Sequence, residues 1–307
     1  MRGRTCPVDY LLTPQEFEVE PRSVETLYAL GGLYGNRWAL EAALALAEAE
    51  GALVALHGDY HWFDAEPQAF EALERAVAPL AVSLGNVEAE LLRPGDEAGC
   101  GCAYPEGVDD EAVERSNQIH LRLKAVARQF PQLLRGIKSR PRLQRYLVAG
   151  QQVLVVHGDE ASLAGWGNSR ENLSQPERRD SLKAWMAKHG VAVLLCSHTC
   201  APAYLASDWG VVANNGAAGM PNWQGGWPLL TRLSSTPHPQ ALARARRGDL
   251  LVEALPIVYD DQPFKDWFDE LWPAGSPAAL SYRDRIAGCL DEAFDVALLG
   301  GFELVEH

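Results

Sequence analysis

ALVALHGDYHWFDAEPQAFEALERAVA, residues 52–78, reads as one strand–loop–helix unit. ALVAL (52–56) is a short apolar run of the length of a buried strand. It breaks at Gly58 into the polar loop HGDYHWFD, and PQAFEALERAVA (67–78) then places Phe70, Leu73 and Val77 on one helical face. The same punctuation recurs along the chain. TLYAL (26–30) runs into GGLYGN and the helix former RWALEAALALAEAE (37–50), and LAVSL (80–84) runs into GNVEAE. VLVV (153–156) runs into HGDEASLAGW, VAVLL (191–195) into CSHTC, and WGVVA (209–213) into NNGAAGMPN. Six such units predict an α/β architecture in which polar residues gather at the carboxyl ends of strands, where such folds place their sites.

The strand series is interrupted over residues 91–150. RPGDEAGCGCAYPEG (93–107) predicts a Gly-rich loop, and the pattern Ile119, Leu123, Val126, Phe130 predicts helix. We read 91–150 as a helical insertion or cap within a single domain spanning 1–307. Residues 260–307, which contain FKDWFDELW (264–272), are read as a C-terminal helical extension. The insertion either covers substrate or simply adds packing helices.

Composition excludes several function classes. Lys and Arg number 27 against 41 Asp and Glu, a net charge of −14, so the basic clusters that hold a phosphate backbone are missing and no nucleic-acid partner is expected. No apolar run approaches the length of a membrane span, and no membrane partner is expected. The opening MRGRTCPVDYLLTPQEFEVEP is interrupted by acids and prolines and does not read as a signal peptide. The six cysteines are therefore expected as free thiols or ligands in a cytoplasmic protein.

Four strand ends carry ligand-type groups: Asp59 in HGDYHWFD, Asn86 in GNVE, His157 in VLVVHG and His198 in SHTC. One carboxylate, one amide and two imidazoles suit a transition metal (Mn, Fe, Zn or Ni) better than Ca or Mg. Each residue alone is an ordinary turn or packing residue; four in the same strand–loop context predict a metal site. His61, two residues beyond Asp59, is a candidate base or ligand, or an exposed loop histidine. Asn36 and Arg37 open the helix at 37, where backbone N–H groups favour phosphate, so both are candidate catalytic residues. Asn36 reads equally as a helix N-cap, and Arg37 as the partner of an acid on its own helix. Cys100 and Cys102 form a C-x-C that either binds metal, reacts with oxidants or makes a tight Gly turn around buried thiols. Trp166 and Arg170, in GWGNSREN, lie close enough to the His157 loop to line a pocket.

Taken in order, GN after the first strand, then GD, GN-x-E, HG, SHT and N-G-A-x-G resemble the calcineurin-like metallophosphoesterases over about residues 24–233. The likeness is strongest to the small bacterial phosphodiesterase and diadenosine-tetraphosphatase branches. It implies a two-sheet β-sandwich flanked by helices (α-β-β-α). It also implies two metal ions bridged by an Asp and a water that attacks phosphorus. By this resemblance the bridging Asp falls on Asp59, and the second-metal ligands on Asn86, His157 and His198. The family's DxH falls on Gly32 and Tyr34, the second His of its GHxH on Cys200, and the His of its GNH on Val87. One metal position is therefore whole and the other stripped, unless Tyr34 and Cys200 serve as additional ligands. Loss of a single oxyanion-type donor costs about 10²–10³ in rate. The expectation is a phosphatase or phosphodiesterase with one ion, two if the extra ligands serve, acting on a small phosphorylated substrate. The alternative is a degenerate member that binds a phosphorylated ligand or a protein partner without turning it over.

Overall fold

The computed structural model describes residues 2–221, 223–224 and 227–306. Asn222, which ends the NNGAAGMPN turn, and His307, which ends the expected extension, lie outside the described residues. The first half of the chain forms strands β1 (Arg22–Ser23), β2 (Leu27–Leu30), β3 (Leu53–His57) and β4 (Ala81–Ser83), with helices α1 (Arg37–Glu50), α2 (Pro67–Val77) and α3 (Asn86–Leu91). Helices α4 (Asp110–Ala127) and α5 (Pro131–Lys138) lead into β5 (Leu143–Val148) and β6 (Gln151–Val156). Then come α6 (Arg170–Leu173), α7 (Pro176–His189), β7 (Val193–Cys196), β8 (Ala203–Ala206), β9 (Val211–Asn214) and β10 (Leu229–Ser234). The rest is β11 (Ala243–Arg247), β12 (Leu250–Pro256), α8 (Gln262–Leu271), α9 (Pro277–Ile286), β13 (Leu298–Gly300) and β14 (Glu303–Leu304).

The strands form two sheets, in the orders β1-β5-β6-β7-β9-β8-β13 and β14-β11-β12-β10-β2-β3-β4. Alternation along each strand sends side chains to opposite faces. Leu27, Ala29 and Ala55 of one sheet thus meet Val153, Val155, Val193 and Leu195 of the other in the core between them. Tyr28, Leu30, Val54 and Leu56 face outward onto α1 and α2, while Leu154, Val156 and Leu194 face outward onto α7. The result is an α/β sandwich. A further aromatic cluster, including Trp62, Phe63, Phe268, Trp272 and Tyr282, packs α3, α4, α5, α8 and α9 against the loops at the strand ends.

Helix α1 starts and stops where its sequence says it should. The Asn36 side chain accepts from the Ala39 N–H at the N-terminus, and Gly51 closes the other end in the left-handed conformation (φ 68°). Two expectations need correction. Segment 91–150 is not helical to its end: LQRYLV forms β5, which pairs antiparallel with β6 through a two-residue turn at Ala149 and Gly150, both at positive φ. That is the mirror-image turn that matches hairpin twist, and the adjacent polar pair Gln144 and Arg145, one on each face, masked the strand's apolar pattern. Phe130 lies beyond α4, because Pro131 opens α5. Segment 260–307 is helical only through α9; β13 then extends one sheet beside β8 and β14 the other beside β11. Among the described residues no helix is long and apolar enough to cross a membrane.

Candidate metal centre

Parallel neighbours β3 and β4 in one sheet, and β6 and β7 in the other, all end toward one point. Immediately after β3, Gly58 (φ 97°) is pressed so closely on Gly85 that a Cβ would lie 2.4 Å from the Gly85 backbone. Only glycine allows the two loops to meet there. The contact brings Asp59 beside Asn86, the first residue of α3, and His157 and His198 arrive from the other sheet. His157 Nε2 lies 3.0 Å from Asn86 Oδ1, 3.1 Å from His198 Nδ1 and 3.2 Å from Asp59 Oδ2. All four side chains are buried.

The outward hydrogen bonds decide what these atoms are. His157 Nδ1 bonds to the His57 carbonyl at 2.9 Å and His198 Nε2 to the Cys102 carbonyl at 3.0 Å. A carbonyl only accepts, so those nitrogens carry the protons and His157 Nε2 and His198 Nδ1 present lone pairs. Asn86 Nδ2 donates to the Cys100 carbonyl (3.1 Å), which turns its Oδ1 inward. Asp59 Oδ1 accepts from the Val87 N–H, leaving Oδ2 for the cluster. Four acceptors therefore converge with no donor among them, a set that a cation satisfies. Nitrogen and oxygen bind such ions at about 2.0–2.2 Å, which spaces adjacent ligand atoms roughly 3 Å apart, as here. A proton on His157 Nε2, shared with Asp59, competes with a cation for this place. Burial alone would lower the pKa of His157, but the Asp59 carboxylate overrides burial and raises it. Burial, with His157 alongside, instead pushes His198 down to about 3.

Strained backbone gathers at this point. Of five non-glycine residues at positive φ among those described, Tyr34, Asp59, Ala103 and Cys200 lie on or beside the site, and only Ala149 is elsewhere. Tyr34 and Cys200 are indeed brought together, but onto each other, with Tyr34 Oη 2.8 Å from Cys200 Sγ. Burial raises both pKa values, so the pair is a neutral phenol and thiol rather than phenolate and thiolate. Cys200 does not join the group of side chains that could hold an ion, which comprises Asp59, His157 and His198 with the Asn86 amide beside them.

The other candidates lie outside this cluster. His61 is not an exposed loop residue. Its Nδ1 is 2.5 Å from Asp64 Oδ2, its Nε2 is 3.2 Å from Glu74 Oε2, and it stacks on Phe70. Burial opposes its protonation, but Asp64 and Glu74 prevail and lift its pKa to about 9, so it has no lone pair for a metal or a proton. Asn36 uses its whole amide in structure: beyond the cap, Nδ2 donates to the Gly219 carbonyl and the Tyr259 hydroxyl at 2.7 Å. Arg37 is exposed, its guanidinium over the Trp38 ring. Asn214, at the end of β9, braces the neighbouring loops, donating to Thr199 Oγ1 and accepting from the Gly216 N–H. Arg170 pairs with Glu292.

Several supporting groups escaped the sequence reading. The Glu88 carboxylate accepts from the backbone N–H groups of Asp59, Gly85 and His61, and so fixes the metal loop. Its only sequence signal was the capping-box spacing of GNVE. Cys100 and Cys102 act chiefly through their carbonyls; their thiols are buried, and the Cys102 sulfur also accepts from Asn86 Nδ2 at 3.6 Å. His120 of α4 bonds to the Val87 carbonyl at 3.3 Å. Tyr34, Trp62, Tyr104, Trp166 and Tyr282 enclose the cluster, leaving a cavity of about 30 Å³ against Asp59, Asn86 and His198.

No protein-family model matches the sequence, and no curated protein matches it. Solved structures do. A hypothetical protein of Pyrococcus horikoshii is 16% identical, with a TM-score of 0.55 over 84% of this chain and 98% of its own. A metallophosphoesterase of Sphaerobacter thermophilus is 18% identical, with a TM-score of 0.52 over 87% and 99%. The likeness is one of fold: the chain shares the overall architecture of these two structures along most of its length.

Proposed function

We propose that the chain is a metal-dependent phosphoesterase that works with one divalent transition-metal ion held by Asp59, Asn86, His157 and His198. Convergence of four acceptor atoms within about one ion's span, each oriented from behind by a backbone group, carries this reading. The mixed nitrogen and oxygen set favours Mn, Fe, Zn or Ni. An ion of this kind polarises a phosphoryl oxygen and lowers the pKa of water, the chemistry that hydrolysis of a phosphate ester needs. The chain's own part is positioning. His57, Cys100 and Cys102 lock the ligand tautomers and rotamers, and aromatic side chains line the cavity beside the cluster. Tyr34, neutral and on the cavity wall, offers a hydroxyl where the family pattern has an imidazole. We assign the substrate to small phosphate monoesters or diesters, with α4 and α5 shaping the choice. Six unpaired thiols fit a reducing, cytoplasmic setting.

A second reading, binding of a phosphorylated ligand without turnover, draws on the Tyr34–Cys200 pair and on Val87 in place of a catalytic imidazole. Metal analysis and turnover separate the two. The purified protein, loaded with Mn²⁺ or Ni²⁺, is expected to hold one ion and hydrolyse generic aryl phosphomonoesters or diesters. His157→Ala is expected to lose both. Tight metal with no turnover across a broad ester panel selects the binding reading, and absence of metal from the wild type rejects both.

A further inference from the structure

Trp166 stands between two spaces of very different size. Inside is the cavity of about 30 Å³ against Asp59, Asn86 and His198; outside is a groove of about 510 Å³ that Val108, Ser169, Thr199 and Ala201 help to line. Trp166 lines both. A cavity of the inner size takes a water or an ion, and a phosphoryl group carrying any alcohol is larger. We propose that the Trp166 indole is the gate and specificity-determining residue of this site. An ester reaches the cluster only when the ring leaves the inner wall, and its alcohol portion then rests in the outer groove. The inference builds on the phosphoesterase reading above.

The walls differ in their freedom. Tyr34, Trp62 and Tyr282 are buried in the aromatic core, with Tyr34 5.8 Å and Tyr282 5.0 Å from the Phe63 ring centroid. Trp166 is half-buried and its side chain is held by one hydrogen bond, Nε1–H to the Cys102 carbonyl at 2.9 Å, with an edge contact to His198 and a tilted one to Tyr104. Its backbone is pinned: Asn172 donates to its carbonyl, and the next N–H, that of Gly167, donates to Asp159. Movement therefore belongs to the side chain. The same Cys102 carbonyl accepts from His198 Nε2, so the closed indole also braces the acceptor that orients His198.

The test reads access without relying on catalysis. Cys102 lines the inner cavity and is buried, whereas Cys6 and Cys289 are exposed. Per-cysteine mass spectrometry after reaction with a bulky maleimide is run on wild type, Trp166→Ala and Trp166→Phe. Losing the single bond that holds the ring is expected to speed Cys102 labelling by roughly tenfold in Trp166→Ala. Trp166→Phe, which keeps a ring without the N–H, is expected between the two. Unchanged Cys6 and Cys289 rates report an intact fold. Equal Cys102 rates in all three proteins overturn the gate. In parallel, over phosphomonoesters of increasing alcohol size, Trp166→Ala is expected to raise kcat/KM for the largest relative to the smallest, and an unchanged ratio overturns the specificity role. Faster Cys102 labelling with no turnover of any ester by wild type upholds the gate and rejects the phosphoesterase reading.

Discussion

His120 illustrates how single residues support the site from behind. It lies on the buried face of α4 with Nε2 on the Val87 carbonyl, and burial lowers its pKa to about 4. An unfolded chain protonates this histidine near pH 6.5 while the folded chain does not, so between about pH 6.5 and 4 the unfolded state binds the extra proton. Stability therefore falls as pH falls through that window, by about 2 kcal/mol at pH 5 from this residue. Urea unfolding at pH 7.5 and pH 5 should show that loss in wild type and a correspondingly smaller one in His120→Gln. Identical pH dependence in both would refute the assignment. Residues of this kind were not legible in the sequence, because a histidine that serves by being neutral looks like any other. Asp59, Asn86, His157 and His198 stood out because each ends a strand on a ligand-type side chain. Glu88 and the carbonyls of Cys100 and Cys102 act on or through backbone, which residue type does not report.

At the scale of elements, the loop Gly99–Cys102 shows what the C-x-C spacing meant. Gly99 and Gly101 are both left-handed (φ 65° and 68°), and the turn they make delivers the Cys100 carbonyl to Asn86 and the Cys102 carbonyl to His198. A Cβ at Gly101 would meet the Tyr10 hydroxyl at 2.4 Å and Glu90 Cγ at 2.6 Å, besides straining the backbone. Gly101→Ala is thus predicted to weaken metal binding about 10–100-fold, as loss of outer-shell support does. Cys100→Ala and Cys102→Ala are predicted to retain it within a few fold, since both residues orient the ligands chiefly through their carbonyls, the Cys102 sulfur adding only a long contact to Asn86 Nδ2 (3.6 Å). Equilibrium dialysis with Mn²⁺ measures all three; a larger loss in the cysteine variants would make the sulfurs ligands instead. Legibility among elements followed the same physics. α1 declared itself through its caps, α2 through Pro67 at its start and a continuous apolar face, and β3, β6 and β7 through unbroken apolar runs. β5 carries Gln144 and Arg145 side by side, one on each face, and β13 and β14 are two or three residues long at sheet edges, too short for periodicity to register.

For the molecule as a whole, the candidate centre is a seam between the two sheets. Asp59 and Asn86 follow strands of one sheet, and His157 and His198 follow strands of the other. Besides the core between the sheets and the His157 Nδ1 bond to the His57 carbonyl, these strand ends meet in a cluster of acceptors that repel one another unless a cation or proton lies between them. Binding there acts only on the folded chain, because the unfolded chain cannot bring together groups as distant as 59 and 198, so free ion at a hundred times Kd adds about 2.7 kcal/mol of stability. A chelator-treated sample should therefore melt several degrees lower than one supplied with Mn²⁺ or Ni²⁺. Scanning calorimetry of His198→Ala gives the decisive comparison. If the seam holds the ion, that variant melts at the same temperature with or without added metal. If it gains as much as wild type does, the stabilising ion sits elsewhere, and the four strand ends meet for structural reasons alone.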